Sequence, residues 1–310
     1  MKRILQSLTL TAAAIAAPIA AHAEKIGMSL GTTNTFLVVM RNSVEKYSKT
    51  LPNVSVQFED AQNDVAKQLN QLQNFIAQKV DAIIINPVDT DSTPKMTQLA
   101  TAAGIPLVYV NVQPGDKTLP PKVSFVGSNE SDSGTLEMKE VCRLMNGKGN
   151  IVVMMGNLAH QAARQRTQDV KDVVAKPPCN GIKIVDTRSA NWSRTAATDL
   201  MNNWLSAGLQ FDAVVANNDE MAIGAIQALK AARKFDKKTI VAGIDATQDG
   251  LAAMKAGELK VTVFQNGPEQ GKVAVDTALK VSKGQHVDSY VWIPFELVTP
   301  ANVDKYVGKN

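Results

Sequence analysis

The chain has 310 residues, 45% hydrophobic and 20% charged, an ordinary globular composition with length for about two domains. Its formal net charge is only +4, from 33 basic and 29 acidic residues mixed along the chain, which excludes a nucleic-acid binder built on a basic surface.

The N-terminus, MKRILQSLTLTAAAIAAPIAAHA, has a basic start at Lys2 and Arg3, a short apolar run, and Ala21-His22-Ala23. This is the three-part pattern of a secretory signal peptide, with cleavage expected after Ala23. No later segment approaches the ~20 apolar residues that would span a bilayer. A soluble, exported protein is expected, placed in a bacterial periplasm.

From Glu24 onward short apolar runs alternate with helical periodicity. KIGMSL reads as a strand, FLVVMRNSVEKYSKTL as a helix, VSVQFED as a strand and DVAKQLNQLQNFIAQKV as a helix. DAIIINP, a helix over STPKMTQLATAAG, and the strand PLVYVN follow. The pattern then resumes with the strand GNIVVMMG, helix AARQRTQDVKDVVAK, strand IKIVDT and helix SRTAATDLMNNWLSAG. FDAVVAN, the helix DEMAIGAIQALKAAR and TIVAGID extend it, and KVTVF reads as a further strand. Such alternation means an α/β fold with parallel sheets covered by helices on both faces. VDAIIINPVDTDS (Val80 to Ser92) echoes FDAVVANNDEMAI (Phe211 to Ile223), with Asn86 and Asn217 at the same strand exit. The strands that follow end at Asn111 and Asp245, so order and offset both favour a duplication into two lobes.

Two such lobes enclose a cleft, and strand carboxyl ends face it. Polar residues at those ends become candidate ligand contacts: Asn34, Asn111, Asn218, Asp245 and Gln265. Amides offer both a donor and an acceptor to a hydroxyl, and an aspartate accepts two hydroxyl hydrogens. Of Arg164 and Arg166 one could fork onto adjacent hydroxyls, the other being a solvated helix residue. Phe36 and Trp192 could stack on the C–H faces of a ring. The set suits a neutral cyclic polyol. Asn217, Asn218 and Asp219 also read as helix-capping residues. His160 and His286 are isolated and read as surface residues. Cys142 and Cys179 could pair in an oxidising compartment, though two buried free thiols are the favoured reading, since sequence does not give their Cα separation. Metal-ligand spacings, phosphate-binding glycine loops and nucleophile elbows are absent, so no cofactor, metal or enzymatic activity is expected.

NNDEMAIGA, VAGIDATQDG and VTVFQNGPEQG, with INPVDTDS and AARQRTQDV, resemble the periplasmic binding proteins of sugar-importing ABC transporters, the ribose-binding branch. The resemblance covers the mature chain. It implies two Rossmann-like lobes (periplasmic binding protein type 1) joined by a three-stranded hinge and closing on a monosaccharide or cyclitol. Its division would give one lobe over 24–127 and about 266–294, the other over 128–265 and about 295–310. The implied ligand contacts are Asn34, Phe36, Leu37, Asn111, Arg166, Trp192, Asn218, Asp245 and Gln265. On this basis Asn218 contacts ligand while Asp219 caps the helix. The implied partners are a sugar or cyclitol and an inner-membrane ABC permease with its ATPase. A chemoreceptor is a further candidate, and a monomer is the family's expectation. Three positions depart from a ribose site: Asn111-Val112 replaces an Asp-Arg pair, Leu37 a second Phe, and Trp192 a Phe. PLVYVN, SANWSRT and FDAVVANNDEMAIGA are more similar to the subgroup associated with inositol and its aminated derivative rhizopine. The alternatives are a pentose ligand, a sugar sensor and a secreted sugar-modifying enzyme. Sugar-responsive repressors of this fold carry an N-terminal helix-turn-helix, where this chain has a leader.

Overall fold

In the computed structural model, which describes residues 23–236 and 238–310, β1 (Glu24–Leu30), α1 (Thr35–Ser48), β2 (Val54–Asp60), α2 (Val65–Ala77), β3 (Ala82–Ile85), α3 (Thr93–Ala103), β4 (Leu107–Val110) and β5 (Val123–Gly127) succeed one another. The expected leader, through His22, lies outside the described residues. β3 and β4, AIII and LVYV, are buried along their whole length. Continuous apolar strands of this kind are what a parallel sheet with helices on both faces requires. Neighbouring strands pair in parallel, in the order β2-β1-β3-β4-β5. One face packs Met28, Met40, Ile84 and Val108 under α1, and the other packs Phe75, Ile83, Met96 and Tyr109 under α2 and α3. A side chain at Gly27 would enter the Phe75 ring at 2.5 Å, so the glycine sets how closely α2 approaches β1.

The second lobe follows: α4 (Glu130–Leu144), β6 (Lys148–Met155), α5 (Gln161–Val174), β7 (Gly181–Ser189), α6 (Arg194–Ser206), β8 (Ala213–Ala216), α7 (Asp219–Ala231), β9 (Ile240–Ala242), α8 (Gln248–Lys255) and β10 (Thr262–Phe264). Its sheet runs β7-β6-β8-β9, and single bridges tie β9 and Asp245 to the β10 segment. The strand order thus repeats that of the first lobe. So does a detail: Asn86 Oδ1 accepts from Gly31 N at 3.3 Å and Asn217 Oδ1 from Gly156 N at 3.1 Å. Each asparagine, at the exit of the third strand of its lobe, anchors the exit of the first. The internal echo read in the sequence is therefore an echo of structure.

The chain passes from the first sheet to the second between β5 and α4, returns between β10 and α9 (Gly267–Ser282), and passes over again after β11 (Tyr290–Trp292). After the second crossing α9 packs on α1, and β11 pairs with β5 at the edge of the first sheet. After the third, β12 (Glu296–Val298) runs antiparallel to β10 in the second lobe. The strands β5, β11 and β12 and the helices α4, α8 and α9 go beyond the elements that periodicity predicts.

Cys142 and Cys179 form a disulfide, with Cα atoms 5.6 Å apart, which corrects the expectation of free thiols. α4 packs on α5, and that contact brings the end of α4 to the loop after α5 across 37 residues of sequence. Spacing alone carries no such information.

Candidate functional site

Between the lobes lies a cavity with about 460 Å³ of empty space, its mouth included. All nine residues expected to meet a ligand line it, together with Asn86, Val112, Glu130, His160 and Ala162.

The first lobe supplies a neutral wall. Asn34 is the N-cap of α1, its Oδ1 accepting from Leu37 N at 2.9 Å, so one residue starts the helix and sets its first turn at the cavity. Phe36 and Leu37 stand on that turn, buried at 7% and 5% exposure, and both belong to the core as well as to the wall. Asn111 has a left-handed backbone, φ 67°, which asparagine tolerates. Its amide accepts from Asn86 Nδ2 and donates to Gln270 Oε1, each at 3.3 Å.

The second lobe supplies charge. Arg166 is buried on α5 and forks onto Glu130, with Nε–Oε2 at 2.7 Å and Nη2–Oε1 at 3.0 Å. Its Nη1 donates to Asn217 O at 2.7 Å. Burial opposes the charge on Arg166, but the Glu130 carboxylate outweighs it and raises the pKa. Arg164, in contrast, is partly exposed and turns to Leu158 O and Asp91.

Asp245 is also buried, yet among the described residues its carboxylate makes no hydrogen bond and pairs only with Arg166 Nη1, at 4.0 Å. Burial pushes its pKa well above the usual carboxylate range, and Arg166 offsets this only in part. Its backbone is strained, φ 120°, and the next residue, Ala246, is left-handed at φ 50°. Such conformations cost about 1–3 kcal/mol each and persist only where the surroundings impose them. Here Asp245 N donates to Val263 O, and Asn310 Nδ2 donates both to Asp245 O at 2.6 Å and to Gln265 O at 2.8 Å. Gln265 Oε1 lies 3.5 Å from Arg166 Nη2, while its Nε2 is buried without a protein partner among the described residues.

The capping role read for Asp219 needs correction. Asn218 is the N-cap of α7, with Oδ1 accepting from Met221 N at 3.0 Å; it caps and lines the cavity at once. Asp219 is fully buried behind it and accepts from Thr262 Oγ1, Thr247 N and Thr247 Oγ1, fastening the Asp245 loop to β10. Burial pushes the Asp219 carboxyl up to about 7 against the pull of those donors.

His160 is corrected from surface to cavity wall, at 9% exposure. Its ring stacks near Trp192, with centroids 6.1 Å apart, and lies within hydrogen-bond distance of Trp192 Nε1 and Val88 O. A lone histidine ahead of a helix gives no sequence signal of this, because its partners are 32 and 72 residues away. Trp192 and Asn191 have left-handed backbones, φ 62° and 52°. The indole lies against Gly156, where an added Cβ would fall 2.2 Å from the ring. His286 is exposed, as expected. Glu130 also escaped notice in the sequence, since an acidic helix start reads equally well as dipole compensation.

The lobes touch around this cavity. Thr35 Oγ1 meets Glu220 Oε1 at 3.1 Å, Thr90 N donates to Ala159 O at 3.1 Å, and Gln161 N donates to Thr90 Oγ1 at 3.0 Å. Amides on one side, a carboxylate and a guanidinium on the other, and Phe36 and Trp192 as flat walls can hold a small polyhydroxylated ring.

Residues 26–286 match the family described as periplasmic binding protein domain. A Rhizobium meliloti protein named "Putative rhizopine-binding protein" is 58% identical over 96% of this chain and 97% of its own. The structure of an ABC transporter solute-binding protein from Bacillus halodurans C-125 with bound myo-inositol superposes with a TM-score of 0.88 at 42% identity, covering 93% of this chain and 99% of that one. A ribose import binding protein of Salmonella typhimurium is 30% identical over 93% of this chain and 96% of its own.

Proposed function

Since the chain belongs to the periplasmic binding protein family and is the solute-binding component of a sugar or polyol ABC transporter, we propose that its ligand is a cyclitol of the inositol and rhizopine type. It is a binding protein, not an enzyme, and it serves a membrane permease. A relative 58% identical is named as putatively rhizopine-binding and a structure 42% identical holds myo-inositol, which supports the cyclitol. The nine residues Asn34, Phe36, Leu37, Asn111, Arg166, Trp192, Asn218, Asp245 and Gln265 contact the ligand in this reading. The chain works in the periplasm with its leader removed after Ala23, and the three interlobe crossings serve as the hinge for closure.

The observation that carries the ligand class is the pairing of charges. Arg166 is spent on Glu130, which leaves the buried Asp245 carboxylate without a hydrogen-bonded partner among the described residues. A buried carboxylate is stable only when its lone pairs are taken. Two ring hydroxyls or one ring ammonium would do so. Asn111-Val112 fits the same reading, because no second arginine stands there to balance another acid.

The test is calorimetry on residues 24–310 after unfolding and refolding to strip bound solute, with myo-inositol, scyllo-inositol, an amino-inositol and ribose. Cyclitol binding at least tenfold tighter than ribose is expected. Ribose as the tighter ligand would keep the transport role and discard the cyclitol.

A further inference from the structure

We propose that His160 is a positioning residue for ligand capture, relaying a hydrogen bond from Trp192 in the second lobe to the backbone of Val88 in the first. This inference rests on reading the cavity as the ligand site. Trp192 Nε1 lies 3.0 Å from His160 Nδ1, and His160 Nε2 lies 3.1 Å from Val88 O. An indole N–H can only donate, so Nδ1 must accept. The ring proton then sits on Nε2, where it donates to the Val88 carbonyl across the cleft. One tautomer satisfies both contacts. The aromatic wall that would cover the ligand is thereby tied to the opposite lobe, and it is tied only when the lobes are together.

The sequence and fold are arranged to hold the relay. Trp192 adopts a left-handed backbone that a bulky residue avoids, and its ring lies on Gly156, where no side chain would fit. Thr90, two residues beyond Val88, makes the flanking interlobe bonds to Ala159 and Gln161 on either side of His160. His160 is thus the centre of a three-residue seam rather than an isolated contact.

A charged imidazole breaks the relay, because both nitrogens then donate and Nδ1–H opposes the indole N–H. Burial holds the ring's pKa below its ordinary 6.5. The Val88 carbonyl and Asp89 on the facing loop favour the charged ring, whereas Arg164 and Arg166 on its own helix disfavour it. The closed state therefore prefers the neutral ring. Closure is favoured above the ordinary histidine range and weakens as pH falls through the lowered value.

The first readout needs no ligand. In 15N spectra of residues 24–310 the Trp192 indole resonance, identified by its loss in Trp192→Phe, should move as pH falls from about 8 to about 5. In His160→Gln it should stay still. An indole signal that does not titrate, or that titrates equally in His160→Gln, overturns the relay. The second readout is stopped-flow release of myo-inositol. His160→Phe keeps a ring but removes both bonds, and its off-rate should rise about three- to tenfold, the worth of one net hydrogen bond, with little change in on-rate. An unchanged off-rate overturns the role in capture. If the wild-type protein does not bind myo-inositol, the ligand assignment fails, and the indole titration still decides the relay.

Discussion

The first lobe meets the cavity with Asn34, Phe36, Leu37, Asn111 and Val112, with no charge among them, whereas the second brings Glu130, His160, Arg166 and Asp245. The scaffolds behind the two walls share a strand order and even the asparagine that pins their strand exits. The shared scaffold therefore fixes where cavity-facing residues stand, while what stands there differs between the lobes. Strain differs too: of the residues lining the cavity, Trp192 and Asp245 hold positive-φ backbones in the second lobe, with Ala246 beside Asp245, against Asn111 in the first. Asparagine bears that conformation at little cost, but tryptophan, aspartate and alanine do not. The second lobe thus holds the rigid, preorganised half of the site, and the first closes over it.

Substitutions can break that contrast. The largest effect is expected for Arg166→Met, which strands the buried Glu130 carboxylate; loss of about 3–5 kcal/mol of stability should appear in urea unfolding, along with loss of ligand binding. Replacing Cys142 and Cys179 by serine removes a staple confined to the second lobe. It should cost about 2–4 kcal/mol in the same assay yet leave calorimetric affinity unchanged, because the bridge lies away from the cavity. Asp245→Asn should act the other way round. Affinity should fall by about 2 kcal/mol, the worth of hydrogen bonds to a charged group, while the ligand-free protein keeps its melting temperature or gains a little. An amino-inositol should lose more than myo-inositol, and equal losses would argue against an ammonium at this position. Asn34→Ala is the mildest change. It should cost about 1 kcal/mol of stability through the lost cap of α1, with a small effect on affinity because the first lobe contributes no charge.

What the sequence revealed of the site depended on local geometry. Asn34, Asn111, Asn218, Asp245 and Gln265 were legible because strand exits in a parallel sheet all point to one edge. Phe36, Trp192 and Arg166 were legible as chemistry that suits a ring. Leu37 entered only through family resemblance, since nothing in its own spacing distinguishes a core leucine from a wall leucine. His160 and the disulfide were illegible for one reason: both depend on the packing of elements far apart in sequence, which periodicity does not encode. That Asn218, not Asp219, caps α7 was lost at finer scale, in the direction of two adjacent side chains at a single helix start.

The three crossings of the chain also bear on the order in which the molecule can be made. The first lobe has five of its strands by Gly127, but α9, which covers Met40 and Val44 of α1, and β11, which pairs with β5, come from residues 267–292. A ribosome must therefore complete nearly the whole second lobe before the first can close its core. Asn310, whose side chain fastens both Asp245 and Gln265, comes later still, so the strained loop that would hold the ligand is locked only after both lobes have been synthesised.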